Sequence, residues 1–243
     1  MRRSAVLAVA LAAASFGLAP GLVGPEVAGV TAGQSPAIRL RDGTSTNWSG
    51  YAAYGRSFST VSGSWTQPAV TCSGQNAYSS YWVGLDGYNT PTVEQLGTEG
   101  DCVNGAAQYY AWFEMYPRGG RLISMKVNHG DAFHASVTAL GRGLFALTLA
   151  DLTTGASFST NQKLNAAQGA SAEVIVEAPS SGGVLPLASF GTAQFTDAVA
   201  NGQSLGGFAP LDPLTMVNPY GMKATPSGFD TTLRKFSVSW SAG

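Results

Sequence analysis

The stretch Tyr109-Tyr110-Ala111-Trp112-Phe113-Glu114-Met115-Tyr116 alternates two kinds of side chain with a period of two. In an extended chain, residues two apart project from one face, so Tyr110, Trp112, Glu114 and Tyr116 form one side. Ala111, Phe113 and Met115 form the other. A helix would scatter these groups around its axis. The same alternation recurs at 78–85, 122–127, 132–140, 173–177 and 236–240. The runs 144–151 and 156–160 flank Leu152-Thr153-Thr154-Gly155, a hairpin turn signal. Apolar residues nowhere hold a 3.6-residue period through three turns, and there is no internal repeat. The spacing predicts a single all-β domain, most simply a two-sheet antiparallel β-sandwich.

Composition supports this reading and narrows the function. The chain has 243 residues, 44% hydrophobic and 11% charged, with 31 Gly and 12 Pro. Charged residues at less than half the usual quarter exclude charge-driven disorder. A net charge of -1 lacks the basic footprint that nucleic acid requires, so no nucleic-acid partner is expected.

Met1-Arg2-Arg3 followed by the apolar run 5–19 predicts a secretory signal peptide within 1–32. Ala28 or Ala32 suits cleavage better than Ala19, which precedes Pro20. The stretch 33–46 is a short linker or propeptide remnant, and 47–243 is the β domain. Past Ala32 no apolar run approaches the length of a membrane span, so the exported protein should be extracellular and free of the membrane. Removing Arg2, Arg3 and Glu26 takes 13 basic and 14 acidic residues to 11 and 13. Export also predicts a Cys72–Cys102 disulfide, worth about 3–4 kcal/mol in the chain-entropy account. A reactive thiol with a bystander is the other reading.

Other strands carry the same pairing of groups. Trp82, Gly84 and Asp86 fall on one face, as do Glu173, Ile175 and Glu177, and Val93, Gln95 and Gly97. Carboxylates, an amide and large aromatics on one side suggest an acid-bearing aromatic groove. A solvated outer face of an antiparallel sheet gives the same pattern.

The inventory removes most alternatives. His129 and His134 form no HExxH, and two cysteines offer no zinc spacing, so no metal site is expected. No GxSxG elbow, GxGxxG or P-loop is present, so neither a nucleophilic serine of that type nor a nucleotide cofactor is implied. Carboxylate chemistry remains, using Asp86, Glu94, Glu99, Glu114, Glu173 or Glu177. It suits a glycosidase or an acid peptidase equally.

Five short motifs occur in order: Asn47-Trp48-Ser49-Gly50-Tyr51, then Tyr81-Trp82-Val83-Gly84-Leu85-Asp86-Gly87, then Val93-Glu94-Gln95-Leu96-Gly97. Ala111-Trp112-Phe113-Glu114-Met115-Tyr116-Pro117 and Ala172-Glu173-Val174-Ile175-Val176-Glu177 complete the set. From about residue 47 onward the chain resembles the glutamic peptidases (eqolisins), secreted acid endopeptidases, here in a bacterial form. The resemblance implies a lectin-like sandwich with a concave cleft, polypeptide substrates, a monomer, and no cofactor. It puts the catalytic glutamine at Gln95 and the catalytic glutamate at Glu177. Trp48, Trp82, Asp86, Trp112, Glu114 and Tyr116 fall on positions that line or support the cleft. Tyr110 stands where the family has an acid, and Val174 replaces an aromatic.

Such a pair needs no covalent intermediate. Glu177 would take a proton from water, with Gln95 orienting that water and donating to the oxyanion. A donor such as Gln95 beside Glu177 should lower its pKa, and Glu114 or Asp86 should supply the proton-bearing group of the alkaline limb. The competing expectation is a carbohydrate-binding module or glycosidase on the same lectin-like fold.

Overall fold

The computed structural model describes residues 33–41 and 43–242, so the expected signal peptide lies outside the described residues. The first strands are β1 (Arg39–Arg41), β2 (Thr44–Ser45), β3 (Trp48–Tyr54), β4 (Thr60–Thr66) and β5 (Ser80–Leu85). There follow β6 (Val93–Val103), β7 (Ala106–Tyr116), β8 (Arg118–Ile123), β9 (Ala132–Gly141), β10 (Leu144–Asp151) and β11 (Ser157–Lys163). The rest are β12 (Ser171–Glu177), β13 (Thr192–Ala200), β14 (Gln203–Ser204), β15 (Leu211–Asn218), β16 (Gly221–Pro226) and β17 (Phe236–Trp240).

One sheet runs β15-β3-β12-β5-β6-β7-β8, antiparallel throughout. The other runs β1-β2-β15-β16-β17-β13-β4-β9-β10-β11, with β2 and β15 its one parallel pair. Residues 211–214 of β15 pair with β3, and 215–218 pair with β2 and β16, so this strand joins the sheets. The two-sheet sandwich read from the alternation is therefore present.

Between the sheets, Tyr81, Val83, Leu85, Leu96, Phe113, Val174 and Val176 meet Trp65, Phe133, Val137, Leu147, Leu149 and Phe195. Each such aliphatic or Phe side chain contributes roughly 1.5–3 kcal/mol on leaving water. β10 keeps the simple alternation, with Phe145, Leu147, Leu149 and Asp151 buried and the residues between them half-buried. β5 and β12 do not: every residue of both is buried. Their second face carries its own cluster of Trp48, Ala52, Trp82, Tyr88, Val93, Trp112, Ile175 and Leu214. A solvated outer face is thereby excluded on these strands.

The hairpin at 152–155 forms because Asp151 accepts from the backbone of Thr153 and Thr154 and from the Thr154 hydroxyl. Cys72 and Cys102 are disulfide-bonded, with Cα atoms 5.4 Å apart. The strands differ from the sequence expectation in two respects. The strand expected at 122–127 is shifted to Arg118–Ile123, where a β-bulge opposite Phe113 and Met115 moves the register and Met125 N–H turns back onto Ile123 O. β1, β2, β3, β4, β13, β14, β15 and β16 were not anticipated: they are very short or carry Ser, Thr, Gly or Pro that blur the alternation their neighbours in the sheet still impose.

Candidate active site

Cross-strand register lays the second face out in rows. One row reads Trp48, Glu177, Ser80, Glu99, Tyr110; the next Gly50, Ile175, Trp82, Gly97, Trp112; the third Ala52, Glu173, Gly84, Gln95, Glu114. Two glycines make the middle of this face usable. A Cβ on Gly97 would lie 2.7 Å from Trp82 Cβ, and one on Gly84 would lie 2.9 Å from Trp82 Cζ3. Both positions therefore keep room for the Trp82 indole, which meets the Trp48 ring edge-on at 4.8 Å.

The indole aims its N–H at the carboxyl. Trp82 Nε1 donates to Glu177 Oε2 at 3.0 Å. The other oxygen, Oε1, accepts from the Ser35 backbone N–H at 3.0 Å and from Asn47 Nδ2 at 3.4 Å. Gln95 Nε2 donates to Glu114 Oε2 at 2.9 Å, which fixes the amide orientation. Gln95 Oε1 is buried without a partner. Trp112 is buried with its Nε1 unpaired, and Tyr116 is half-buried at the end of β7.

Residues 33–37 cross this face as a strap. Gly33 exchanges backbone bonds with Ser180, Ser35 O accepts from Trp48 Nε1 at 3.0 Å, and Ala37 N–H donates to Gly87 O. The Gln34 side chain points inward: Ser80 Oγ donates to its Oε1 at 2.9 Å, and its Nε2 donates to Glu99 Oε1 at 3.1 Å. The Gln34 backbone N–H reaches Glu114. Consecutive peptide nitrogens thus touch Glu114, the partner of Gln95, and Glu177. None of this was visible in 33–46 as sequence. Glu99 was only one carboxylate among six; its spacing of four from Gln95 on a strand put it on the same face.

Burial governs the charges. Glu177 is pushed well above the usual carboxylate range by burial, against the N–H of Ser35, with Glu114 adding to the rise and Asn47 and Trp82 opposing it. The expectation that Gln95 lowers this pKa is overturned, since Gln95 bonds to Glu114 instead. Glu114 is itself raised to about 8 by burial, which outweighs its hydrogen bonds from Gln95, Gly120 and Gln34. Burial, then the nearby Asp101, raises Glu99 strongly. Asp101 is raised to about 7 by burial, opposed by its bonds from Tyr110 and Ser79. Where the family has an acid, Tyr110 Oη donates to Asp101 Oδ2 at 2.8 Å, so a phenol supports this carboxyl.

Asp86 leaves the expected place. Face alternation put it beside Trp82, but the strand ends at Leu85 and Asp86 takes a left-handed φ of 67°. Its Oδ2 accepts from the N–H groups of Gln168 and Gly169 at 2.7 and 2.8 Å, and Oδ1 from Ala170 at 2.7 Å. Asp86 is a loop clamp with both oxygens engaged, not a groove residue. Glu173 and Glu94 are buried near it, Glu173 well above the usual range through burial first. Val174 packs in the core 3.6 Å from where a Gly63 Cβ would stand, which leaves little room for an aromatic. His134 Nδ1 shares a 2.8 Å hydrogen bond with Ser64 on the second sheet, remote from the carboxyls in sequence and register. A cavity of about 740 Å³ lined by Val184, Leu187, Lys223 and Trp240 shares none of these residues. Among the described residues no three His, Cys, Asp or Glu are grouped as metal ligands would be.

An antiparallel sandwich thus buries an amide, several carboxyls and three indoles on one sheet face, and the comparisons with known proteins place it among the glutamic peptidases. The chain belongs to the Peptidase A4 family, whose profile matches residues 46–224. It is 31% identical over 200 residues to aspergillopepsin-2 of Aspergillus niger, covering 71% of this chain and 70% of the relative. Scytalidopepsin B of Scytalidium lignicola is 31% identical over 196 residues, covering 74% of each. The crystal structure of scytalido-glutamic peptidase with a transition state analog inhibitor aligns with a TM-score of 0.69 at 26% identity. That alignment spans 81% of this chain and 98% of the other. Aspergilloglutamic peptidase from Aspergillus niger aligns with a TM-score of 0.60 at 25% identity, spanning 68% and 99%.

Proposed function

We propose that this peptidase is a secreted acid endopeptidase in which Glu177 is the general base and Gln95 orients the attacking water and donates to the oxyanion. We also propose that 33–37 is a propeptide remnant that occupies its own cleft. The observation that carries both is the Ser35 peptide N–H on Glu177 Oε1, next to a Gln34 N–H on Glu114. A polypeptide backbone already sits where a substrate backbone would. With the strap seated, burial favours the neutral form of Glu177, which is a poor base. Once the strap leaves, water reaches the carboxyl and its pKa falls, so it ionises in mild acid.

In that state Glu177 takes a proton from water while the water oxygen bonds to the scissile carbonyl carbon. Gln95, held by Glu114, presents its second N–H to the oxyanion, a role commonly worth about 3–4 kcal/mol of barrier. The C–N bond breaks as Glu177 returns the proton to the leaving amine. Glu114, neutral to about pH 8, keeps its proton throughout the acid range. The apolar leader in 1–32 supports an extracellular setting.

Acid hydrolysis of casein tests the assignment. Glu177→Gln and Gln95→Ala should each remove activity by orders of magnitude with thermal unfolding at acid pH little changed. If Glu173→Gln is the dead variant and Glu177→Gln is active, the assignment fails.

A further inference from the structure

The strap has one side chain whose two polar ends are both matched. Gln34 is 6% exposed, with its amide oxygen on Ser80 Oγ–H and its amide nitrogen on Glu99 Oε1. Ser80 and Glu99 are buried, and they project from the same row of the sheet as Glu177. This seat consists of one hydroxyl donor and one carboxyl acceptor at the spacing of a primary amide. The Ser35 nitrogen that Glu177 holds belongs to the peptide bond that directly follows Gln34.

The geometry points to the Gln34 seat as a substrate subsite that selects a glutamine-like amide side chain on the residue immediately before the cut bond, with Ser80 and Glu99 as its specificity-determining residues. This rests on the peptidase reading above and deepens it. A leucine in the seat would strip the amide bonds from the buried Ser80 hydroxyl and Glu99 carboxyl, leaving them only the bond they make to each other. Sites built to hydrogen-bond a group reject analogues lacking it more strongly than apolar pockets reject small changes in size. A lysine would bring a charge into a buried site whose carboxyl is biased toward its neutral form by burial and by Asp101.

Four peptides identical except for Gln, Glu, Leu or Lys at one central position test this, incubated at acid pH with the purified protein, its bonds cut being read by mass spectrometry. Cleavage should fall directly after Gln, with kcat/KM at least about tenfold above the Leu peptide. Ser80→Ala should bring the Gln:Leu ratio to within about twofold. Glu99→Ala should do the same, while Glu99→Gln, which keeps a neutral oxygen acceptor in place, should restore the preference. Cleavage that ignores the central residue, or a Gln:Leu ratio unchanged in Ser80→Ala, overturns the subsite while leaving the peptidase reading standing. If none of the four peptides nor casein is cut at any acid pH, the peptidase reading fails and the subsite with it. The wild-type peptide series decides the matter even if a variant does not fold.

Discussion

Glu94 sets a pH dependence of folding that can be separated from catalysis. It projects from β6 on the side facing Leu85 and Met115, away from Gln95. Burial first, and then the neighbouring Asp86, raises its pKa from 4.5 to about 9. In the unfolded chain the group ionises near its ordinary value, whereas in the folded protein it stays protonated to about pH 9. A raised folded pKa means stability that is complete below pH 4.5 and is lost as the pH climbs through the window 4.5 to about 9. Each pH unit corresponds to about 1.36 kcal/mol, so Glu94 alone lowers stability by about 3 kcal/mol between pH 4.5 and pH 7. Glu94→Gln keeps the shape and cannot ionise. Its melting temperature should match the parent below pH 4 and exceed it by about 6–12 °C at pH 7, at about 2–4 °C per kcal/mol for a chain of this size. Calorimetric or circular-dichroism melts of both proteins from pH 3 to pH 8 provide the assay. Parallel curves, with no divergence above pH 5, would refute the reasoning.

Ser35→Pro removes the N–H that caps Glu177. Its initial rate on casein at acid pH should rise at least about tenfold over the parent, in line with about 1–3 kcal/mol for a buried acceptor that loses its donor; an unchanged rate would refute autoinhibition by the strap. Asp86→Asn weakens the clamp on 168–170 and should lower stability by about 2–4 kcal/mol, measured by urea titration. A fall in kcat with no fall in stability would return Asp86 to the groove. Glu114→Gln should flatten the alkaline limb of the pH–rate profile, because the parent group loses its proton only near pH 8. The limb surviving intact in that variant would exclude Glu114 from it.

The glutamate at 177 was named from a motif and the amide at 95 from another, and the strand period put each on a face with residues of its own strand. Glu173 and Glu177 shared one side of their strand, and Trp112 and Glu114 shared one side of β7, because residues two apart in a strand must share a side; that Trp82 lies beside Glu177 came only from cross-strand register. That rule is local, and it failed where the strand stopped: one residue past Leu85 the backbone turns left-handed and Asp86 swings to a distant loop.

The fold class and the disulfide were thus legible in the sequence itself, the first through alternation and the second through the expected export. What only the tertiary structure decided is who covers the polar face. Gln34 meets Glu99 across 65 residues and Ser35 meets Glu177 across 142. No periodicity encodes contacts of that separation. The protonation of Glu94, Glu99, Glu114, Glu173 and Glu177 belongs to the same category. A carboxyl's pKa is set by how much water the fold leaves around it and which charges it brings near, and neither is a property of the residues adjacent in the chain.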